Sequence, residues 1–224
     1  MSGFLAHRQE MVRRQIEARG IRDERVLAAM REVPREEFVP EALRFRAFDD
    51  NALPIACDQT ISQPYVVAWM VAALDLGQAA RVLEVGTGSG YAAAVLSRLA
   101  ERVVTIERHA ALADEARERL RRLGYANVEV RCGDGSVGCP EEAPFGGILV
   151  SAGAPCPPPP LLAQLTEGGC LVIPIGESRY DQHLVRLRKE AGGAVREEPL
   201  GGVRFVPLVG REGWSEDDAR GWID

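Results

Sequence analysis

The stretch VLEVGTGSGY, residues 82–91, decides the fold: an apolar run with the pattern of a buried strand passes into Gly86, Gly88 and Gly90 and then into a helical pattern. Glycines at such a turn let the chain bend sharply and let a ligand approach bare amides at a helix N-terminus. The spacing is G-x-G-x-G. A dinucleotide fingerprint needs its third glycine where Tyr91 stands, which argues against a nicotinamide site. Two acids frame the turn. Glu84 lies two residues before Gly86, where a carboxylate can meet a cationic amine or a hydroxyl of a ligand. Glu107 closes the next strand, 21 residues after Gly86, the place from which nucleotide-binding α/β folds hold both hydroxyls of a ribose. This acidic lining suits a ligand with a ribose, a positive charge and no need of a phosphate, and S-adenosylmethionine is one. The bland alternatives are a solvated strand end for Glu84 and a helix cap for Glu107.

Outward from this stretch the pattern is a βαβα series. Val82, Leu83 and Val85 read as strand, Ser89–Leu99 as helix, Val103–Ile106 as strand and Ala110–Leu123 as a charged amphipathic helix. Val128–Val130, Ile148–Val150 and Cys170–Ile175 continue as short apolar strands, with a brief helix at Leu161–Leu165. The alternation implies a mostly parallel sheet with helices on both faces. Leu184–Leu187, Val195–Glu197 and Val203–Val206, joined by Gly-rich turns, are expected to finish it with an antiparallel edge. Asp134, inside Gly133-Asp134-Gly135, follows the third strand and falls at the carboxyl edge of the sheet, where it could bond an adenine amino group or simply make an Asp-Gly turn.

Upstream, Leu5–Arg19 places Met11, Val12, Gln15 and Ile16 on a weak stripe, and Asp23 caps Glu24–Arg31, with Val26, Leu27 and Met30 apolar. From Val33 to Gln63 the periodicity fades among Pro34, Pro40 and Pro54, and long loop-rich stretches of this kind are often functional. The 224 residues fit one domain, with N-terminal helices and substrate-side loops over 1–63 and a cofactor-binding α/β core over 81–208. The tail from Gly210 to Asp224, with Trp214 and Trp222 among acids, reads equally as a docked helix or a frayed end.

Composition narrows the functional classes. With 27 Lys and Arg against 33 Asp and Glu, the net charge of −6 offers no basic excess for nucleic acid. No apolar stretch approaches the ~20 residues that cross a bilayer, so a cytoplasmic protein with no membrane partner is expected. The five cysteines form no C-x-x-C pair, and no histidine stands at a ligand spacing, so no metal is expected.

Several strings together resemble the protein-L-isoaspartate O-methyltransferases: ALPI at 52–55, DQTISQPYVVAWM at 58–70, VLEVGTGSGYAAAVLSRLA at 82–100, GDG at 133–135, APFGGILVSAGAP at 143–155, LVIPIG at 171–176 and VRFVPL at 203–208. AMREVPREEFVP, residues 29–40, looks like that family as well, and the resemblance covers roughly residues 8–208. The T-I-S-Q-P string is its most specific part. The resemblance implies a Rossmann-like methyltransferase fold with a seven-stranded, mostly parallel sheet. It also implies S-adenosyl-L-methionine as cofactor and isoaspartyl proteins and peptides as partners, met by a monomer.

The same resemblance implies roles for single residues. Ser62 would contact the substrate carboxylate as the active-site residue, although read by itself it is a loop serine or helix cap. Glu84, Gly86, Gly88 and Glu107 would meet the methionine and ribose parts of the cofactor, and Asp134 with Gly135 its adenine. Thr60, Ile61, Thr87, Gly90 and Arg108 would complete the cofactor site. Cys57, Asp58, Gln59 and Val206 would border the peptide.

Two departures stand out. Ala56, Cys57 and Asp58 occupy the place of a Gly-x-Gly, and Gly146 follows Phe145 where an acid is common. The first adds a carboxylate beside the pocket and keeps open a relative dedicated to one aspartate of one partner peptide. A non-catalytic S-adenosylmethionine-binding module is the reading from another class.

Overall fold

The computed structural model describes residues 2–77, 79–178 and 180–220. Residues 221–224, Trp222 among them, lie outside the described residues.

The strands β3 (Arg81–Val85), β4 (Arg102–Glu107), β5 (Val128–Cys132), β6 (Phe145–Val150), β7 (Leu165–Ser178), β8 (Asp181–Lys189) and β9 (Val195–Val203) form one seven-stranded sheet in the order β5-β4-β3-β6-β7-β8-β9. The first five are mutually parallel, and β8 and β9 add on antiparallel. This is the expected sheet with its antiparallel edge.

The strand order reverses at β3, because β4 lies on one side of it and β6 on the other. A crevice opens at such a switch point, above the carboxyl ends of the strands, and the glycine turn leads directly into it.

Side chains alternate between two cores, as a pleated strand requires. Val82, Val103, Leu149 and Val172 face one, while Leu83, Val85, Val104, Ile148, Val150, Leu171 and Ile173 face the other. The first core is roofed by α2 (Glu24–Glu32), α3 (Pro64–Ala73), α4 (Tyr91–Leu96) and α5 (Ala110–Arg122). The second face carries the five-residue α6 (Pro159–Ala163) and short turns around Cys139 and Phe145. Helical cover is therefore unequal, where the βα alternation implied helices on both faces. The chain from Gly133 to Ala143 tightens into two 3₁₀ turns at Gly135–Val137 and Pro140–Glu142.

Local sequence accounts for most boundaries. Asp23 accepts the amide of Arg25 and caps α2. Proline opens α3 and α6, where its missing N–H costs nothing. The N-terminal stripe forms α1 (Ser2–Met11), relaxes into a π-helical turn at Val12–Ile16 and ends in a 3₁₀ turn at Glu17–Arg19.

Three readings change. Val203–Val206 is not a separate strand: β9 runs unbroken to Val203, and the chain then turns across the carboxyl edge of the sheet, where Pro207 bridges Gly153. The helix expected at Leu161–Leu165 sits two residues earlier, since Leu165 already pairs with Phe145 as the start of β7. The stretch from Val33 to Gln63 contains two 3₁₀ segments and a small hairpin of β1 (Leu53–Pro54) and β2 (Thr60–Ile61).

Candidate active site

A cavity of about 590 Å³ occupies the switch point. Its floor is the carboxyl end of β3, β4 and β6 with the turn Gly86–Ser89. One wall is the hairpin and loop from Cys57 to Gln63. The opposite rim is the crossing segment from Gly202 to Val209.

Glu84 is fully buried on the central strand. Thr105 Oγ1 donates to its Oε2 at 2.6 Å, and Thr87 Oγ1 lies 2.6 Å from Thr105 Oγ1, so a short chain of hydroxyls ends on the carboxylate. Its other oxygen, Oε1, is buried with no hydrogen-bond partner among the described residues. Burial, with Glu107 nearby, raises the Glu84 carboxyl to about 8 against the pull of the Thr105 hydroxyl. A buried, unpartnered carboxyl oxygen on a residue that lines a cavity suits a ligand cation or donor placed there. The solvated strand end is excluded.

Glu107 is also buried but fully held. Its Oε2 accepts the amide of Gly88 at 2.9 Å and its Oε1 the amide of His109 at 3.0 Å. The glycine matters at Gly88, whose positive φ of 52° aims that amide at the carboxylate. Each Glu107 oxygen keeps a further lone pair for a ligand hydroxyl. The acid thus ties the glycine turn to the start of α5 and lines the cavity as well.

Asp134 stands apart from these two. It caps the turn Gly135–Val137: its Oδ1 accepts from the amide and hydroxyl of Ser136, at 2.9 and 2.7 Å, and its Oδ2 from the amide of Arg211 at 2.8 Å. Burial works to raise its pKa, but these donors outweigh it and hold the carboxyl below the usual range.

The segment that docks on Asp134 is a strap. Trp214 Nε1 donates to Gly153 O at 3.1 Å, Glu212 N to Ser136 Oγ at 3.0 Å, and Glu216 pairs with Arg108. Gly210 lets the strap approach this closely: a Cβ would lie 2.1 Å from Asp134 Oδ1 and 2.6 Å from Ser136 Oγ and would displace the hydrogen-bonded pair. The described part of the tail is thus docked, ending in α7 (Glu216–Arg220), whose Glu216 and Ala219 reach the cavity. Gly135 lines the cavity, whereas Asp134 faces an adjoining depression that it shares with Arg108 and Trp214.

On the loop wall, Ser62 is half-buried and lines the cavity, as do Cys57, Asp58, Gln59, Thr60 and Ile61. Cys57 and Asp58 are the two central residues of the hairpin turn, closed by Gln59 N donating to Ala56 O at 3.2 Å. Both take positive φ, 56° and 54°, the left-handed pair that a two-residue hairpin turn demands and that glycine or asparagine fills most easily. Both are exposed. Gln63 anchors the loop through its Nε2, which donates to Asp50 Oδ1 at 2.7 Å. Across the cavity Val206 lends its carbonyl to Gly153 N at 2.8 Å.

The expected residues Thr87, Gly86, Gly88 and Arg108 also line the cavity. Gly90 lies just behind, as the left-handed residue before α4. Gly146, the second departure, leaves room: an added Cβ would touch Ala80 at an ordinary 3.4 Å. Sequence reasoning missed His109, Ser151, Phe205 and Glu216: Ser151 and Phe205 stand inside strings that resemble the family but were given no role, His109 and Glu216 stand in none, and only the crossing connections bring all four to the cavity. Among the described residues no cluster of histidine, cysteine or acid could hold a metal ion.

A doubly wound sheet, with a glycine turn between two buried acids at its switch point, is the framework of an S-adenosylmethionine-dependent methyltransferase. The sequence model of the protein-L-isoaspartate(D-aspartate) O-methyltransferase family matches residues 6–213, and the chain belongs to that family.

Among curated relatives, "Protein-L-isoaspartate O-methyltransferase 2" of Pelobacter propionicus is 58% identical over 92% of each chain. A solved structure titled protein-L-isoaspartate O-methyltransferase superposes with a TM-score of 0.80 at 30% identity, covering 92% of this chain and 67% of its own. A putative protein-L-isoaspartate O-methyltransferase from Plasmodium falciparum, in complex with S-adenosyl-L-homocysteine, gives 0.77 at 26% identity over 90% and 98%.

Proposed function

We propose that this protein esterifies the α-carboxyl of L-isoaspartyl residues in damaged proteins and peptides with a methyl group from S-adenosylmethionine. The carrying observation is a single cavity that holds the buried, half-unpartnered Glu84 on one side and Ser62 of the T-I-S-Q-P string on the other. The methyl ester offers methoxide as a leaving group where the carboxylate offers none, so the neighbouring amide nitrogen can attack the ester carbonyl, lose its proton and expel methanol to close a succinimide, and hydrolysis of that ring returns part of the chain to normal aspartate.

The cofactor, when bound, supplies a methyl group on a positively charged sulfur for displacement by a carboxylate oxygen. Glu84 Oε1 would receive its cationic amine and Glu107 its ribose hydroxyls, with Gly86 and Gly88 leaving the turn open beside them, while Gly135 is glycine because a Cβ would lie 2.4 Å from Val85 Cγ1. Ser62 orients the substrate carboxylate by a hydrogen bond from its hydroxyl. It takes no proton, because a carboxylate with an ordinary pKa near ~4 is already ionised at neutral pH. Catalysis then rests on alignment at ~3–3.5 Å and on keeping water off the carboxylate. Cys57, Asp58, Gln59 and Val206 form the rim along which an extended peptide lies.

The net charge of −6 supports a partner that is not nucleic acid. No described helix is long and apolar enough to cross a membrane. A monomer in the cytoplasm belongs to the same reading.

The test is labelled methyl transfer to a peptide with one isoaspartate, against the same peptide with aspartate. Base-labile label on the first alone is expected. Label on neither, with cofactor binding intact, would move the reading to a dedicated partner peptide or a binding module.

A further inference from the structure

Arg35 lies in the Ala29–Pro40 string, in an Arg-Glu-Glu triplet that has the composition of solvated surface, yet it is completely buried. Its Nε donates to Ala47 O at 2.7 Å and its Nη2 to Ser62 O at 2.8 Å. Its Cζ lies 4.7 Å from the centroid of the Tyr91 ring, and Nη1 is buried without a hydrogen-bond partner. The adjacent Glu36 is no counter-ion, because it pairs with Arg8 at 2.6 Å. Among the described residues no acid forms an ion pair with Arg35.

A buried charge without a partner is costly, and an apolar side chain of similar volume would usually serve packing better. The three contacts say what the charge does instead. Ala47 belongs to the loop before the hairpin, Tyr91 is the first residue of α4 behind the glycine turn, and Ser62 carries the hydroxyl assigned to the substrate. Tyr91 and Ser62 both line the cavity. One guanidinium therefore ties the loop wall to the helix that rises from the cofactor turn, directly behind Ser62.

We infer that Arg35 is a positioning residue of the methyl transfer: it fixes the Ser62 backbone against Tyr91 and sets an uncompensated positive charge behind the point where the substrate carboxylate is received. The inference rests on the reading of Ser62 given above. A charge in a low-dielectric wall acts over several ångströms. The carboxylate loses its charge as the ester forms, so the electrostatic part favours the bound substrate over the transition state and falls mainly on KM. Slack in the Ser62 backbone falls on kcat.

Two variants of the full chain, Arg35→Met and Arg35→Lys, separate these parts. Kinetics with the isoaspartyl peptide are read beside thermal melting and the Kd for S-adenosylhomocysteine. For R35M, kcat/KM should fall by about 100-fold, the scale of a misplaced reacting group, with peptide KM raised and the S-adenosylhomocysteine Kd unchanged. R35K retains the charge but lacks the fork that spans two carbonyls, so it should recover much of KM while kcat stays low.

Unchanged KM and kcat in folded R35M or R35K would overturn the inference, as would parallel loss of peptide and S-adenosylhomocysteine binding. Should R35M fail to fold, R35K alone decides by its split between KM and kcat. An inert Ser62→Ala change, by contrast, would remove the reading beneath it whatever Arg35 does.

Discussion

Two carboxylates look into one cavity under opposite conditions. Glu84, on the central strand, is sealed from solvent and held by a threonine hydroxyl, while Asp58, on the hairpin turn, is exposed and sits on left-handed backbone. The contrast extends to the walls around them. The strand wall is close-packed, and Glu107 there is fixed by two backbone amides before any ligand arrives. The loop wall is rooted in the core through Leu53 and Ile61, but its rim is held by single side chains, Gln63 to Asp50 and Arg35 to Ser62, and its turn is exposed. A constant ligand can be met by preformed groups at little ordering cost, whereas a site for many damaged sequences needs a surface that adapts.

The largest test of this contrast is the pH dependence of stability. The folded value for Glu84, about 8, lies above its unfolded value, so the folded state binds the extra proton between the two. This contribution is full below about 4.5 and is lost as pH rises toward 8, at up to about 1.4 kcal/mol per unit. Denaturant melts of the ligand-free protein from pH 5 to 8 should show that loss, and Glu84→Gln should flatten it. A flat wild-type profile would break the comparison.

Cofactor affinity comes next. Loss of a charge-assisted bond, worth about 1.5–3 kcal/mol, should weaken S-adenosylmethionine binding to Glu84→Gln by roughly 10–100-fold. Calorimetry at pH 7 in two buffers of different ionisation enthalpy should also show proton release on binding to the wild type and none in the variant.

On the loop wall, Ser62→Ala should lower kcat by roughly tenfold, about one hydrogen bond's worth, with cofactor affinity unchanged; equal loss of both would erase the division of labour. The smallest effect belongs to the turn. Asp58→Gly should raise stability in urea melts by about 0.5–1 kcal/mol through relief of left-handed strain. It should also lower KM for acidic peptides relative to basic ones. An unchanged ratio would show that the Asp58 charge does not reach the bound peptide.

How far these walls could be read from sequence follows the same division. Glu84, the glycines and Glu107 were legible because strand period, turn chemistry and acid placement coincide within 26 residues, 82–107. The helix α3 had no such signal: PYVVAWMVAA is apolar on nearly every side, with Tyr65, Val66, Trp69 and Ala72 half-buried opposite its buried face, and carries no helical period. The hairpin hid because its strands are two residues each and its turn uses Cys57 and Asp58 in place of glycine. Arg35 could not be found locally, since its carbonyl partners lie 12 and 27 residues away. Asp134 showed both of its possible faces, the turn cap in full and a place beside the cavity.

The strap that docks on Asp134 bears on the ageing of the enzyme itself. Aspartate followed by glycine is the pairing most exposed to isomerisation, because no side chain shields the following amide nitrogen from the carboxyl carbon. Ring closure also requires that carboxyl to rotate and favours its neutral form. In Asp134-Gly135 three donors pin both oxygens and lower the pKa, so each requirement is opposed. The strap supplies one of these three donors, the Arg211 amide, so its release would free Oδ2 to rotate toward Gly135 while the two bonds from Ser136 still held Oδ1.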